Sequence, residues 1–413
     1  MKKLVLLVVV CTFITSSSFA GGFLTGTQGA KAMGMGHAFV GQASDASAIY
    51  FNAAGLTNLK GINFMAGTTF ISPKVDFTGP KPLTTTTSTV DKTFTPINVY
   101  GSYNMDNGLA LGIGVYNPYG LGSEWSSDWI GRALAVETEL RTFYINPTIA
   151  YQVTEDLSFG AGFIVVVSDI FMSRRITSVP GVPVPTNILM ELDGSGNTAY
   201  TFNLGVLYKA TDALSLGLSY RHSAEIEFDG TVNFSNLSVG IPQVDPILAG
   251  AFRSSNGKAT MKMPFDLRAG ISFKATTDLT LNADFQYVGW ESYKELAATF
   301  ENPMFNMNAP KNWENSTTFR LGGEYAFDAL AVRAGYVFDG SPIPTNTMDP
   351  SLPGKNRHEF NFGLGYQLTE NIRVDAAYAY ISFDADVNDS LLGFNGKYKN
   401  STNLFGFNVG LAF

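Results

Sequence analysis

The sequence predicts an all-β transmembrane barrel of about 14 antiparallel strands, with a mostly helical N-terminal segment that plugs its lumen. The chain is 45% hydrophobic and only 15% charged, yet beyond residue 20 it has no apolar run of the ~20 residues that a membrane helix needs. Large apolar residues instead alternate with small or polar ones, as barrel strands require. The connections between the strands alternate between short and long, as they do in outer-membrane barrels.

Residues 1–20 have the features of a secretory signal peptide. The basic pair Lys2-Lys3 precedes an apolar run over residues 4–14, and residues 18–20 (Ser-Phe-Ala) supply a small-residue cleavage site. The apolar run is too short to span a bilayer as a helix. Because the only cysteine, Cys11, lies in this stretch, we expect an exported chain without disulfides.

The composition argues against several classes of protein. The chain carries 27 basic and 35 acidic residues and no long basic run, so we expect no nucleic-acid partner. Its three histidines, His37, His222 and His358, are scattered and have no nucleophile-elbow sequence near them. A hydrolase needs a nucleophile, a base and an orienting group. We therefore expect no catalytic site, no metal site and no cofactor.

The last strand shows the alternation most clearly. Bulky apolar residues occupy every odd position from Phe405 to Phe413, with Gly, Asn, Gly and Ala between them. In a strand the two sets point to opposite faces. One such strand also fits a soluble sandwich, but the number of similar segments favours a barrel over residues 61–413. We find fourteen, near 62–72, 96–105, 108–117, 139–153, 156–169, 197–209, 212–228, 260–274, 278–292, 315–327, 329–339, 357–368, 371–386 and 402–413.

The connections predict which way the barrel faces. Six are short and nearly all carry Asp or Asn, which suit tight turns, whereas the other seven are long and rich in Pro, Ser, Thr and Asn. An even number of strands places both termini at the short-turn, periplasmic end. We therefore expect a monomer in the outer membrane of a Gram-negative cell. Its partners would be membrane lipid and the barrel-assembly machinery, which would read the strand ending at Phe413.

Charged residues lie on the register opposite to the bulky apolar ones. A charge facing lipid at midplane costs about 2–4 kcal/mol for Arg or Lys, so this register must face the lumen. We expect most of these groups to pair with one another as a structural lattice. They are Asp266, Arg268, Lys274, Asp284, Arg320, Glu324, Arg333, Arg373 and Asp375.

Residues 21–60 do not alternate. They are rich in small residues and only weakly polar, and residues 44–50 begin with residues that cap helices. Disordered arms normally have low hydrophobicity. Because a barrel of fourteen strands is wide enough inside to need filling, we expect this stretch to be a plug in the lumen.

Three stretches resemble the FadL-type outer-membrane transporters of long-chain fatty acids and aromatic hydrocarbons. Residues 34–41 followed by 45–56 resemble the plug of that family, called the hatch, and residues 220–230 resemble its seventh strand. Residues 333–344 with Leu352-Pro353 resemble a strand end and the outer loop after it. The resemblance covers essentially the whole chain beyond residue 20. It implies uptake of hydrophobic small molecules by passive diffusion through a hatch-gated barrel with a lateral exit.

One departure from the family concerns the end of the hatch. The family usually has Asn-Pro-Ala there, whereas this chain has Asn52, Ala53 and Ala54. In the family this corner meets a kinked third strand beside a gap in the wall. Gly112 and Gly114 lie in the third strand. They either permit a bend there or are plain small residues facing the lumen.

The resemblance also places a basic ligand contact after the fifth strand. Arg174 and Arg175 stand there beside Phe171 and Met172, either as cations for a carboxylate held near apolar surface or as a solvated loop pair. A second basic contact of the family falls on residues 313–315, which here read Trp-Glu-Asn. The ligand is therefore left open between a fatty acid and a neutral hydrocarbon.

The long loop after the third strand holds Trp125 and Trp129. These indoles either form a capture groove for the ligand or anchor the protein at the membrane interface. Two other functions fit an outer-membrane barrel, namely a general diffusion porin and a purely structural barrel. A porin would have an open lumen without a plug.

Overall fold

The computed structural model describes residues 22–413, so the predicted signal peptide lies outside the described residues. All strands of these residues belong to one antiparallel sheet. The sheet closes on itself because its first strand pairs with both the second and the last strand of the wall. The strands are β1 Ile62–Thr78, β2 Thr86–Ser88, β3 Ile97–Asn104, β4 Leu109–Tyr116, β5 Gly120–Glu124, β6 Glu137–Gln152, β7 Leu157–Ile176, β8 Ile188–Gly196, β9 Ala199–Thr211, β10 Leu214–Arg221, β11 Ala224–Ser235, β12 Ser255–Met263, β13 Asp266–Lys274, β14 Leu279–Val288, β15 Glu295–Phe300, β16 Met307–Pro310, β17 Ser316–Phe327, β18 Leu330–Asp339, β19 Arg357–Gln367, β20 Ile372–Val387 and β21 Gly396–Ala412.

Fourteen of these strands form the closed wall, each paired along its length with a neighbour on either side. They are β1, β3, β4, β6, β7, β9, β10, β13, β14, β17, β18, β19, β20 and β21. Each of the fourteen predicted segments overlaps one wall strand, so the predicted barrel is confirmed. Among residues 22–413, no helix combines the length and the apolar character needed to cross a bilayer.

The remaining strands extend the barrel at its long-loop end. The upper part of β7 pairs with β8, and the ladder continues through β11, β12, β15 and β16. Each of these extensions is separated from its wall strand by a short break, as at residues 197–198 and 222–223. The sheet therefore rises beyond the membrane-spanning wall on one side. The α-helix α3, Asp245–Ala251, lies in the loop between β11 and β12.

The bulky residues of the wall face outward. In β21, Phe405, Phe407 and Val409 are 48%, 49% and 47% exposed, whereas Leu404 and Asn408 between and beside them are 4% exposed. Exposure of such side chains to water forfeits about 1.5–3 kcal/mol each relative to burial, so this surface is suited to lipid. The alternation that predicted the barrel is confirmed.

The charges of the inner face pair with one another. The Arg333 guanidinium lies 2.6 Å from Glu324 and 2.7 Å from Asp375, and Arg373 lies 3.2 Å from Asp375. On the opposite part of the wall Arg268 forms an ion pair with Asp266. These pairs contain six of the nine residues of the predicted lattice. Asp284 and Arg320 instead form hydrogen bonds with neutral groups. The ion pairs also rigidify the lumen, because breaking one pair would leave a buried charge without its partner.

The N-terminal segment, residues 22–60, lies inside this wall. It contains α1 (Ala30–Gly34), α2 (Ala48–Phe51) and a 3-10 helix (Ala53–Asn58), joined by turns. Further 3-10 helices, all in loops, are Trp290–Ser292, Pro303–Phe305 and Thr345–Thr347. Most of the segment's side chains are buried, including those of Met33, Phe39 and Ala54 at 0% exposure.

Glycines of the wall let the backbone of the N-terminal segment come close. A Cβ atom at Gly335 would lie 2.1 Å from the backbone nitrogen of Gly36, and one at Gly322 would lie 2.1 Å from the carbonyl oxygen of Met35. Any side chain there would displace the segment. Similar close approaches occur around the wall at Gly160, Gly205, Gly217, Gly270 and Gly363.

Candidate functional site

The third wall strand is broken near its middle. β4 ends at Tyr116 and β5 begins at Gly120, and the proline between them, Pro118, has no N–H to donate to a neighbouring strand. The side chain of Asn117 replaces the backbone hydrogen bonds that a continuous strand would make there. Its Nδ2 donates to the carbonyl oxygen of Thr142 (2.5 Å), and its Oδ1 accepts from the backbone N–H of Ile97 (2.9 Å). The break is thus fixed by specific bonds to both adjacent strands.

Above this break the second and third wall strands overlap instead of lying edge to edge. Phe94 continues the second strand and exchanges two backbone hydrogen bonds with Ile71 of β1, at 2.8 and 2.9 Å. Ile71 lies four residues before the buried Val75 on the same strand, so both side chains face the lumen. Because Phe94 pairs with Ile71, its side chain also projects from the inner face. Its ring nevertheless lies on Gly122, which pairs with the outward-facing Glu139. The inner face of one strand therefore covers the outer face of the next.

The two strands rejoin higher up. The backbone N–H of Val90 donates to the carbonyl oxygen of Glu124 at 2.7 Å. Next to this bond the ammonium of Lys92 lies 2.6 Å from Glu137, 3.4 Å from Glu124 and 3.5 Å from Glu139. A gap in the ladder thus extends from the broken strand below to this charged cluster above. We call this opening between the overlapping strands the side slot.

The beginning of the N-terminal segment lies against the free edge of the broken strand. The backbone N–H of Thr25 donates to the carbonyl oxygen of Pro118 (2.9 Å), and the N–H of Gly120 donates to that of Phe23 (3.0 Å). Residues 23–25 therefore act as a short added strand. The Phe23 ring packs edge-on against Trp290, with the ring centroids 4.7 Å apart.

A cavity of about 690 Å³ connects the lumen to the side slot. Its lining includes Leu140 and Thr142, which face the lumen, and also Glu139, Arg141 and Phe143, which face outward on the same strand. The lining of one cavity therefore includes residues from both faces of β6. This is the feature of the structure that most directly suggests a function.

The inner end of the cavity is polar. Arg357 lies 2.6 Å from Asp339, and the Nε2 atom of His37 lies 3.0 Å from Glu359. Arg320, which also lines this end, donates from Nη2 to the neutral side-chain oxygen of Gln286 at 2.5 Å. The cavity therefore combines apolar walls with cations at one end, which suits an amphiphilic or apolar small molecule.

The sequence matches, over residues 11–413, the profile of the family described as "Outer membrane protein transport protein (OMPP1/FadL/TodX)". The chain belongs to this family. It is an integral outer-membrane protein of a family of transporters, not an enzyme.

Curated relatives match along most of their length. The chain is 24% identical over 409 residues to the long-chain fatty acid transport protein of Escherichia coli O6:H1, covering 91% of this chain and 90% of that protein. It is 24% identical over 395 residues to outer membrane protein P1 of Haemophilus influenzae, covering 84% and 83%.

Two solved structures share the fold of this chain. One is a Pseudomonas aeruginosa FadL homologue, with a TM-score of 0.81 at 21% identity, covering 95% of this chain and 100% of that one. The other is the Pseudomonas putida toluene transporter TodX, with a TM-score of 0.73 at 17% identity, covering 96% and 100%.

The corner where the FadL family usually has proline is held here by hydrogen bonds. Asn52 donates from Nδ2 to the carbonyl oxygens of Val206 (2.9 Å) and Val40 (3.1 Å), and its Oδ1 accepts from the backbone N–H of Ala54 (3.3 Å). Ala53 packs against Gly160 of the wall. The side slot therefore exists in this chain without the family proline.

Gly112 and Gly114 lie in the regular part of the third strand. A Cβ at either position would meet Ile49 of the N-terminal segment, at 2.9 Å and 3.0 Å respectively. They are small residues facing the lumen, and the break lies beyond them at residues 117–119. That they permit a bend in the third strand stays a prediction.

The predicted ligand residues lie outside the cavity lining. Trp125 and Trp129 stack at 4.1 Å and are buried under the outer loops, where their indoles donate to the carbonyl oxygens of Pro350 (3.0 Å) and Ala135 (2.7 Å). They belong to the packed core of those loops. That Trp125 and Trp129 contact the ligand stays a prediction.

The other predicted ligand residues lie on the upper part of β7, beside β8. Arg175 donates from Nη1 to the carbonyl oxygen of Asn187 at 3.2 Å, and Met172 lines a small apolar recess of the upper sheet. Arg174 and Phe171 are only partly buried there. That these four residues bind ligand remains a prediction.

Sequence reasoning missed the residues that build the side slot. It ended the third strand at residue 117, although Asn117-Pro118 inside a strand is itself a signal of interrupted pairing. It recognised Arg320 as facing the lumen but assigned it to the lattice of charges. Phe94 and Lys92 carry no local signal, because their roles depend on how two strands overlap.

Proposed function

We propose that this protein takes up hydrophobic small molecules, either long-chain fatty acids or hydrocarbons, across the outer membrane by passive diffusion. A molecule enters the cavity from the outer loops, and the N-terminal segment acts as the hatch. The molecule then leaves through the side slot into the membrane. The observation that carries the proposal is the single cavity lined by lumen-facing Leu140 and lipid-side Phe143.

Physical chemistry supports a lateral route for such molecules. Hydrophobic solutes gain little from a polar, water-filled pore, because leaving lipid for water costs about 25 cal/mol per Å² of apolar surface. A side exit avoids this cost. The cavity volume of about 690 Å³ also falls within the 300–1,000 Å³ that is usual for small-molecule pockets.

Two features support a fatty acid as the substrate. The E. coli relative is named for long-chain fatty acids, although the P. putida structure is named for toluene. At the inner end of this cavity Arg320 donates to the neutral amide of Gln286 and has Asp339 and Asp284 as electrostatic neighbours. Its guanidinium is a cation of the cavity lining that can pair with a carboxylate. A neutral hydrocarbon is the second candidate, because the slot itself is largely apolar around Phe94 and Phe143.

The filled lumen argues against a general diffusion porin. The N-terminal segment contacts the wall on many sides, through Gly160, Asp284 and Gly406 among others. A porin keeps an aqueous channel open. We therefore expect little steady conductance, a monomer surrounded by lipid, and assembly directed by the strand that ends at Phe413.

Uptake by cells tests this proposal. Cells expressing the protein in a strain without other family members should accumulate radiolabelled oleate or toluene faster than cells that carry an empty vector. If expressing cells and empty-vector cells took up oleate at the same rate, and toluene at the same rate as well, the proposal would be overturned. Planar-bilayer recordings on the same protein test the alternative, because a porin would give large steady currents.

A further inference from the structure

We propose that Phe94 and Gly122 form a door in the side slot, and that the Phe94 ring must leave Gly122 before a bulky solute passes. This inference rests on the lateral route of the proposed function. The ring reaches from the second wall strand across the gap to the third. A Cβ at Gly122 would lie 2.0 Å from Cζ and 2.3 Å from Cε1 of Phe94, so the ring sits where only glycine leaves room.

The backbone on either side of the door is fixed. Phe94 exchanges both of its backbone hydrogen bonds with Ile71, at 2.8 and 2.9 Å. Gly122 lies in β5, which pairs with β6. The slot can therefore widen without unfolding only if a side chain moves. Exposed side chains change rotamer in picoseconds to nanoseconds, much faster than loops or strands rearrange.

Among the described residues, the Phe94 ring has fewer aromatic neighbours than the Phe77 ring of the same region. In this part of the chain the Phe94 ring has no ring–ring contact, and its one cation–π contact is with Lys92, whose ammonium lies 5.5 Å from the ring centroid. By contrast, the nearby Phe77 packs against Trp129, Phe394 and Tyr398. A ring resting on a residue without a side chain forfeits few contacts when it swings away.

The charged cluster above the slot has a different role. Lys92 lies 2.6–3.5 Å from Glu137, Glu124 and Glu139. Glu124 belongs to β5, and Glu137 and Glu139 belong to β6. The cluster holds the upper ends of the two overlapping strands together. It therefore fixes the frame of the slot, while Phe94 is its movable part.

The door is tested by labelling a cysteine placed behind it. The chain beyond residue 20 has no cysteine, so Leu140→Cys introduces a single thiol on the lumen side of the cavity. This parent protein is reconstituted in liposomes and treated with N-dodecylmaleimide, which dissolves in the bilayer and reaches the thiol through the side slot. A charged, water-soluble maleimide is used in parallel to detect general opening of the barrel.

Two door variants are added to this parent, each with a matched control. Phe94→Ala removes the ring and Gly122→Ala displaces it, whereas Phe94→Tyr keeps a ring in place. Gly120→Ala adds a methyl group on the same strand, where its Cβ would lie at an ordinary 3.6 Å from Cγ2 of Thr25. The two door variants should react with N-dodecylmaleimide about tenfold faster or more, as for a lost barrier of ~1.4 kcal/mol.

Both controls should react with N-dodecylmaleimide at the rate of the parent. The water-soluble reagent should label the parent and all variants at the same rate. Unchanged labelling in Phe94→Ala and Gly122→Ala would overturn the door. Equal acceleration with the water-soluble reagent would overturn it as well, because the whole barrel would then have opened. Oleate and toluene uptake is measured separately. If the protein takes up oleate or toluene but the door variants label at the parent rate, only the door is overturned. If the door variants label faster but the protein takes up neither compound, the door stands and the proposed function is overturned.

Discussion

The carboxylate of Asp284 in the wall accepts a hydrogen bond from the backbone N–H of Val40 in the N-terminal segment, at 2.9 Å. The same oxygen accepts a second bond from the neighbouring N–H of Phe39, at 2.8 Å. Asp284 lies on β14, so one wall residue holds the turn between α1 and α2. Removing it leaves two buried donors without a partner.

The variant Asp284→Ala should therefore loosen the N-terminal segment. Each buried N–H left without an acceptor costs about 1–3 kcal/mol, so amide hydrogen exchange at Phe39 and Val40 should become at least tenfold faster. Asp278→Ala, in the exposed turn between β13 and β14, is the control. Unchanged exchange in Asp284→Ala would show that this contact does not anchor the segment.

Gly322 and Gly323 offer a matched pair that tests the fit of the segment in the lumen. A Cβ at Gly322 would lie 2.1 Å from the carbonyl oxygen of Met35. One at Gly323 would meet the flexible Leu281 side chain at 3.3 Å and the carbonyl oxygen of Thr280 at an ordinary 3.5 Å. Gly322→Ala should displace the segment and raise the single-channel conductance in planar bilayers. Gly323→Ala should behave like the wild type. Equal conductance of the two variants would mean that the segment does not close the lumen.

Arg320→Met tests the polar end of the cavity. A hydrogen bond to a charged group contributes about 1.5–3 kcal/mol, so loss of this cation should weaken oleate binding roughly 10- to 100-fold. Binding of a neutral alkane such as dodecane should be unchanged. Isothermal titration of the purified protein in detergent measures both ligands. A similar loss of affinity for dodecane would show that the substitution damages the cavity and does not remove a specific carboxylate contact.

The outer loops should loosen in acid because of a buried ion pair between Lys311 and Asp349. Burial alone raises the pKa of the Asp349 carboxyl, but Lys311 and the hydrogen bonds from Ser351 outweigh it and hold that pKa below its usual range. A lowered folded-state pKa stabilises the fold above the unfolded pKa, and this contribution is lost as the pH falls through the folded pKa. Protonation of Asp349 should therefore release the loop over residues 340–356.

Limited proteolysis at falling pH measures this release. Cleavage in residues 340–356 should increase on acidification in the wild type, whereas Asp349→Asn should already be cleaved at neutral pH and change little with pH. Trp125 donates to the carbonyl oxygen of Pro350 in this loop, so its fluorescence should follow the same transition. Glu314→Gln, on an exposed part of the same loops, should keep the wild-type pH dependence. A pH-independent wild type would contradict this role of the ion pair.

The wall was predictable because a strand crossing a membrane must separate its faces at every second residue. That rule places Phe405 and Phe407 toward lipid and Asn408 inward without any knowledge of their neighbours. The lumen-facing charges followed from the same rule. Their individual partners depend on the register between strands, so Arg320 was recognised as inward but not as a residue of the cavity.

The side slot was not predictable in the same way. It depends on the overlap of Phe94 with Gly122. Asn117-Pro118 signals a break in the third strand, but no local pattern shows which residue of the second strand covers that break. Trp125 and Trp129 show a related limit. Indoles in a long loop suit either ligand capture or an interface, and only the folding of the loops over one another shows that these two are packed in a core.

Photolabelling in intact outer membranes tests the lateral route most directly. A long-chain fatty acid with a diazirine at the end of its chain is activated by light during uptake, and the labelled peptides are identified by mass spectrometry. We predict labels on both faces of β6, at Leu140 inside and at Phe143 outside. Labels confined to the lumen and the periplasmic turn around Asp106, with none at Phe143, would contradict the lateral route.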